Sequence, residues 1–145
     1  MNSRVIRPCG LVIRDHTVLV MRYQYGPHER FNLPGGNLEA EESLHECLIR
    51  EFREELDLEV VPGELLHAAE TRTDKSTLHL VFRAEADGEP RLNPLASRAA
   101  EILWLPEHAL VDAPLYPALG GALARWFAGQ PDPAYLGRIE QPWYR

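Results

Sequence analysis

Cysteine is scarce in this chain: two residues in 145, Cys9 and Cys47, with no CxxC pair. Each has apolar neighbours, Leu11 and Val12 for the first and Leu48 and Ile49 for the second. Both therefore read as small core side chains in a reducing compartment, not as a disulfide framework. Long hydrophobic runs are missing too. The opening MNSRVIRPCGLVIRD is interrupted by Arg7 and Pro8 before an apolar stretch reaches the length of a signal peptide or a membrane span, so the protein reads as cytoplasmic with no membrane partner. Positive charge is in deficit, 15 Lys and Arg against 22 Asp and Glu, a net charge of −7. That balance excludes a protein that grips duplex nucleic acid through a basic face, and an anionic partner then needs cations to neutralise it. Neither the phosphate loop GxxxxGK[ST] nor GxGxxG occurs, and there is no internal repeat, low-complexity tract or helix-turn-helix extension.

What is present suits one domain. With 45% hydrophobic residues, a chain of this length buries roughly 70% of its extended surface on folding. Residues 1–129 are assigned to a single domain, and 130–145, QPDPAYLGRIEQPWYR, to an extended, proline-punctuated C-terminal tail. Trp143 and Tyr144 in that tail have no local core and three destinations: this subunit, a second copy in a homodimer, or a ligand site.

Val5 to Met21 is rich in aliphatic and β-branched residues and breaks at RDH, which predicts two strands about a tight turn. YQYGPHERFNLPGGN carries Gly, Pro and Asn signals of a long loop. Ser43, with Glu46 three residues on, predicts a capping box opening a helix to Leu56. Val60-Val61 and Leu65 to Ala69 read as extended around a Pro62-Gly63 turn. In STLHLVFRAEADG, Leu78, Leu80, Phe82 and Ala84 alternate with His79, Arg83 and Glu85, a strand with one apolar face and one polar, open face. EILWLP is a further short buried strand with Trp104 in the core. Pro106 opens a helical turn to Leu110, and Pro117 to Ala128 is a C-terminal helix with Trp126-Phe127 on its buried side. The fold class is α/β: a mixed β-sheet between helices, an α/β/α sandwich.

REFREEL, residues 50–56, holds the chemistry. On a helical wheel with Glu51 at zero, Glu54 falls at about 300° and Glu55 at about 40°, in the sector shared by Leu44, Cys47 and Leu48. Three carboxylates at the margin of an apolar stripe repel one another by roughly 3 kcal/mol per pair at an effective dielectric of 20. They raise one another's pKa values or recruit cations, and hard oxygen donors at that spacing suit Mg2+ or Mn2+. The competing reading is a solvated face with Glu46–Arg50 and Arg50–Glu54 pairs at i,i+4.

Context decides between them. Residues 36–58 read GNLEAEESLHECLIREFREELDL, and this run resembles the box of the Nudix hydrolases. Gly36, Glu42, Arg50, Glu51, Phe52, Glu54, Glu55 and Leu58 match that box residue by residue. Two positions depart from it: Asp57 stands in place of the closing glycine, and Glu41 where many members have glycine before the first box glutamate. Asp57 follows the helix and calls for a left-handed backbone, which Asp tolerates at about 1 kcal/mol. Glu41 reads as a solvated charge at the start of the helix.

The resemblance implies the Nudix-type sandwich and metal-dependent hydrolysis of a nucleoside diphosphate linked to another moiety. It implies Glu51, Glu54 and Glu55 as metal ligands, joined by a backbone carbonyl at Gly35, with Gly36 close to substrate. Glu51, Glu54 and Arg50 are the catalytic set, Arg50 orienting Glu51, and Glu42 has a structural part, anchoring the loop through Arg50. The general base is Glu51 or one of Glu70, Glu85 and Glu101. Arg22, at the end of a strand, is a substrate-phosphate contact or a plain surface arginine; His28, Arg30 and Phe31 frame a base or ribose, or serve loop and core. His79 reads as a satisfied or exposed histidine. A nucleoside triphosphate ranks first as substrate, yielding a mononucleotide and (pyro)phosphate. A nucleotide sugar or ADP-ribose comes second, and a non-catalytic nucleotide sensor stands as the alternative from another class.

Overall fold

The structure, a computed structural model, describes residues 4–142. Trp143 and Tyr144, whose docking was left open above, lie outside the described residues. The first strands form as expected: β1 (Arg4–Leu11), the short β2 (Ile13–Arg14) and β3 (Thr17–Tyr25). Asp15 and His16 turn the β2–β3 hairpin with φ of 49° and 61°, the paired left-handed conformation that matches strand twist.

The expected loop from Tyr23 onward is instead a second hairpin. β3 continues to Tyr25, Gly26 turns with φ of 58°, and β4 (His28–Asn32) pairs back so that Tyr25 faces His28 and Met21 faces Asn32. The aromatic and long side chains here are good strand formers, and two turn residues suffice to reverse the chain. Residues 34–38 then run along the free edge of β1. The Gly10 N–H donates to the Pro34 carbonyl at 2.8 Å, the Gly36 N–H to Pro8 at 3.2 Å and the Leu38 N–H to Ile6 at 2.8 Å. A Cβ on Gly35 would lie 2.2 Å from the Pro8 oxygen, so close approach of two backbones requires glycine there.

Helix α1 (Leu44–Leu56) starts at a complete Ser43–Glu46 capping box and ends at Asp57, whose φ of 49° and ψ of 40° are left-handed as expected. Glu41 is left-handed too, with φ of 69°. Both places where glycine was replaced thus demand the conformation glycine tolerates best.

β5 (Val61–Arg72) is one strand, not two. Register shifts between Pro62 and Leu65 and between Leu65 and His67 take up Pro62 and Gly63 as bulges. β6 (Ser76–Glu85) lies centrally, between β1, to which it is parallel, and β5, to which it is antiparallel. Its open polar face does not materialise over the middle of the strand: His79, Val81 and Phe82 are all buried, because a central strand is covered on both sides. β7 (Glu101–Pro106) pairs with β3, a 3-10 turn follows at Glu107–Ala109, and β8 (Leu115–Tyr116) runs parallel to β4. α2 (Gly120–Phe127) begins later than Pro117, since β8 occupies the preceding residues and Pro117's carbonyl takes the Leu119 N–H. β9 (Tyr135–Arg138) adds a parallel edge strand to β5.

The strands thus form two mixed sheets, the second ordered β2-β3-β4-β8 with β7 also on β3. α1 inserts Leu48, Phe52 and Leu56 against Leu19, Met21 and Phe82. On the other side, Leu119 and Leu123 meet Val18, Val20, Phe31 and Leu33, with Trp126 and Phe127 packed at the margin. The result is a helix–strand–helix sandwich, as the residues imply. No described helix is long and apolar enough to cross a membrane.

Candidate active site

One guanidinium organises the acidic helix. Arg50 meets Glu42 in a two-point contact, Nε to Oε2 at 3.0 Å and Nη2 to Oε1 at 2.8 Å. Its Nη1 reaches Glu51 at 3.0 Å and Glu54 at 3.2 Å, with Glu39 at 3.6 Å. Nη2 also donates to the Asn37 carbonyl at 3.4 Å, tying the box loop to the helix. The Glu42 carboxyl, bonded by Arg50 and by the Glu39 N–H, is held down to about 2. Arg50's own pKa is driven further up, chiefly by its bond to Glu42. The Glu46–Arg50 pair does not form, because Glu46 is engaged in the capping box.

Glu51 and Glu55 are the two carboxyls this network leaves in conflict. Burial raises both, Glu55 to about 8 with the charge of Glu51 as the next cause, while Arg50 pulls Glu51 back. The charge of Glu51 thus favours the protonated form of Glu55. Gly36 permits this placement of Glu51: a Cβ there would fall 2.2 Å from its carboxyl carbon and push that side chain aside. Glu54 is half exposed.

The last turn that presents Glu54 and Glu55 is fastened by Asn93, which the sequence did not reveal as a site residue. Its side-chain amide donates to the Glu54 carbonyl at 3.0 Å, and its backbone N–H to that of Glu55 at 2.9 Å. These are helix-end carbonyls without partners inside the helix.

Glu51, Glu54, Glu55, Arg50, Glu42, Gly35 and Gly36 are therefore brought to one corner. Arg22 is not among them. It lies within β3, not at its end, and shares a row with Val20 and Gln24, on the opposite face from Tyr23. Its guanidinium bonds Glu101 and Gln24, both at 2.8 Å. Of the other base candidates, Glu70 holds Arg4 and Tyr135, and Glu85 ends β6 exposed. Trp104 is only part-buried, under the Arg14 guanidinium. Phe31 packs in the core, while Arg30, on β4 instead of a loop, is buried against Tyr116.

The donor set consists of hard carboxylate oxygens in which burial and repulsion already push protons onto Glu51 and Glu55, so a divalent cation fits its chemistry. Among the described residues, however, no three acidic, His or Cys side chains are grouped tightly enough to enclose an ion; Glu54 is turned to Arg50 instead.

Comparison with known proteins agrees with this architecture. The family model described as the NUDIX domain matches residues 4–127. No curated protein matches at a significant level. Among solved structures, the E. coli ORF135 protein is similar at TM-score 0.74 and 20% identity, covering 88% of this chain and 91% of that one. The MutT protein from Methanosarcina mazei gives TM-score 0.74, 20% identity and 90% and 98% coverage. An ADP-ribose pyrophosphatase from Streptococcus suis gives 0.65, 16%, and 95% and 100%.

Proposed function

The chain belongs to the Nudix family of pyrophosphohydrolases, and from that premise we propose that it hydrolyses nucleoside triphosphates, releasing a mononucleotide and pyrophosphate. The observation that carries the reading is the Glu51–Glu55 conflict beside Arg50: carboxyls strained in this way accept a cation readily. Glu51, Glu54 and Glu55, with the Gly35 carbonyl, would hold Mg2+ or Mn2+. A bound dication would neutralise the diphosphate and activate water at phosphorus.

The remaining roles belong to the chain itself. Arg50 holds Glu51 and, less firmly, Glu54 by their oxygens, so the carboxylates face one region instead of spreading into solvent. Glu42 fixes Arg50 and, through the Glu39 N–H, the loop before the helix. Gly36 lets the Glu51 carboxyl lie against the loop backbone. Arg22 remains a candidate phosphate contact only if it releases Glu101. The exposed Arg50–Glu54 contact, of the kind worth a few tenths of a kcal/mol, is weak enough for Glu54 to exchange to a cation. The two buried, free thiols support a reducing, cytoplasmic setting.

A cavity of about 170 Å³ lies beside Asn37 and Tyr116, next to the loop that Arg50 ties to the helix. ADP-ribose and nucleotide sugars stay in the test because one fold relative bears the name of an ADP-ribose pyrophosphatase. The deciding experiment is a panel of (d)NTPs, ADP-ribose, nucleotide sugars and dinucleoside polyphosphates with Mg2+, following phosphate or mononucleotide release. Triphosphates are expected to give the highest kcat/KM. Tight binding of a nucleotide without any release would replace the enzyme by a sensor.

A further inference from the structure

Arg7 is the side chain the acidic site leaves unexplained. It stands in the β1 row Val5, Arg7, Cys9, is 8% exposed, and donates from Nη2 to the Leu33 carbonyl at 3.1 Å. Among the described residues its Nη1 has no hydrogen-bond partner, and it forms no ion pair. Its register partner on β6 is His79, fully buried, with Nε2 2.8 Å from the Thr71 hydroxyl and Nδ1 unbonded. Both rest on Tyr116, the Arg7 guanidinium 4.8 Å from the ring centroid and the His79 ring edge-on at 5.1 Å. Arg30 stacks on the same tyrosine at 4.4 Å. Tyr116 also walls the cavity that reaches Asn37, the residue whose carbonyl meets Arg50.

A buried guanidinium with an unmet N–H is unfavourable by its lost hydration, and ring contacts offset only part of that. Proteins ordinarily relieve such a charge with a carboxylate. Here its contacts are the Leu33 carbonyl and the Tyr116 ring, so what Nη1 lacks is an acceptor.

We propose that Arg7 determines substrate specificity: a part of the substrate that extends past the diphosphate to Tyr116, which walls this cavity where Arg7 itself does not, brings an oxygen acceptor, carbonyl or carboxylate, to the guanidinium behind that ring. The proposal rests on the hydrolase reading above. Arginine offers donors only, so an amino group in the same place sets N–H against N–H and is rejected. The acceptor has two sources, the keto edge of a nucleobase or the carboxylate of an attached sugar acid.

Matched pairs separate them: ITP against ATP, UTP against CTP, and UDP-glucuronate against UDP-glucose. For wild type, Arg7→Met and Arg7→Lys, kcat/KM is measured with Mg2+ and calorimetric affinity with Ca2+ in its place, under conditions where no product forms. Wild type is expected to favour the acceptor member of the base pairs or of the sugar pair by about tenfold or more. In Arg7→Met that ratio falls toward one, through KM and not kcat, and Arg7→Lys is intermediate. The thermal midpoint of Arg7→Met stays level or rises, since an unmet buried charge is removed. Because affinity is read without turnover, failure to hydrolyse anything sinks the hydrolase reading alone. Pairs bound alike by wild type, or discriminated equally by Arg7→Met, overturn the role of Arg7. So does a large fall in midpoint in both variants, which assigns Arg7 to the Leu33 contact.

Discussion

Two arginines on either side of the 34–38 loop are treated in opposite ways. Arg50 is surrounded by Glu39, Glu42, Glu51 and Glu54 within 3.6 Å. Arg7 has one backbone carbonyl and an aromatic ring. The acidic side carries more carboxylate than one guanidinium can neutralise, and the cationic side has no acid in contact. Glu55 and Arg7 feel each other's charge, since Arg7 draws the Glu55 pKa down, yet the two do not collapse into an ion pair. Such a separation is unfavourable in the free protein. It resolves when a polyanion arrives with dications: cations answer the carboxylates, and ligand oxygens answer the arginine.

The largest expected effect comes from cancelling acid on the crowded side. Glu54→Gln keeps shape and leaves the Glu42 and Glu51 contacts of Arg50 in place but removes one hard anionic donor. Its kcat with Mg2+ should fall by about 10²-fold or more, with a thermal midpoint within a degree or two of wild type. Unchanged kcat would remove the acidic helix from the chemistry and break the comparison outright.

Arg50→Met tests the same side from its cation. The side chain is 22% exposed and holds three part-buried or paired carboxylates, so leaving them unanswered should destabilise the fold by about 3 kcal/mol. Arg50→Lys should recover less than half of this, because a point charge cannot reproduce the two-point contact with Glu42. Urea unfolding of the three proteins measures it. If Mg2+ restores Arg50→Met more than it helps wild type, the excess carboxylate is available to a dication.

How much of this contrast was legible beforehand differs between its halves. Helical period groups Glu51, Glu54 and Glu55, and the resemblance of residues 36–58 to the Nudix box adds Arg50 and Glu42. The capping box and the left-handed Asp57 are likewise local and were read correctly. Arg7, His79, Arg30 and Tyr116 come from four strands, and only sheet register brings them together. One signal was there: in Val5-Arg7-Cys9 an arginine occupies an otherwise apolar row. In the sequence the β3–β4 hairpin reads as a loop because Gly26, Pro27 and Asn32 outweigh Tyr23, Tyr25 and Phe31. β5 was divided at Pro62-Gly63 because bulges absorb such residues without announcing it in the sequence.

pH probes each side with opposite sign. His79 is depressed to about 3 by burial, with Arg7 as second cause, so the unfolded chain binds the extra proton. Stability is then full above about pH 6.5 and is lost as pH falls toward 3, by about 2 kcal/mol at pH 5 for this one group. His79→Gln should flatten that acid limb. On the acidic side Glu55 is raised to about 8, so the native state binds the extra proton. Metal-free protein should therefore lose stability as pH rises from about 4.5 to 8, by a few degrees of midpoint, about the size expected for a small ΔΔG. Mg2+ should abolish that basic limb and leave the His79 limb untouched. If Mg2+ moved both limbs together, the two regions would not be independent.

The smallest effect concerns how the crowded helix is ended. Asp57 and Glu41 hold left-handed φ of 49° and 69° at the two ends of the acidic segment, where a side chain costs up to about 1 kcal/mol relative to glycine. Glycine gains that relief but also frees the unfolded chain, which returns part of it. Asp57→Gly should therefore stabilise by about 0.5 kcal/mol, and Glu41→Gly by a similar or smaller amount. Asn93 and the Asp57 N–H, bonded to the Arg53 carbonyl at 3.2 Å, keep the last turn in place in either case, so kcat should not change. Differential scanning calorimetry at pH 7 with parallel rate measurements tests both halves of that statement. A gain in stability bought by lost activity would mean that the strain at Asp57 helps to aim Glu54 and Glu55. The acidic side would then be held in tension, where the Arg7 side is merely left unfilled.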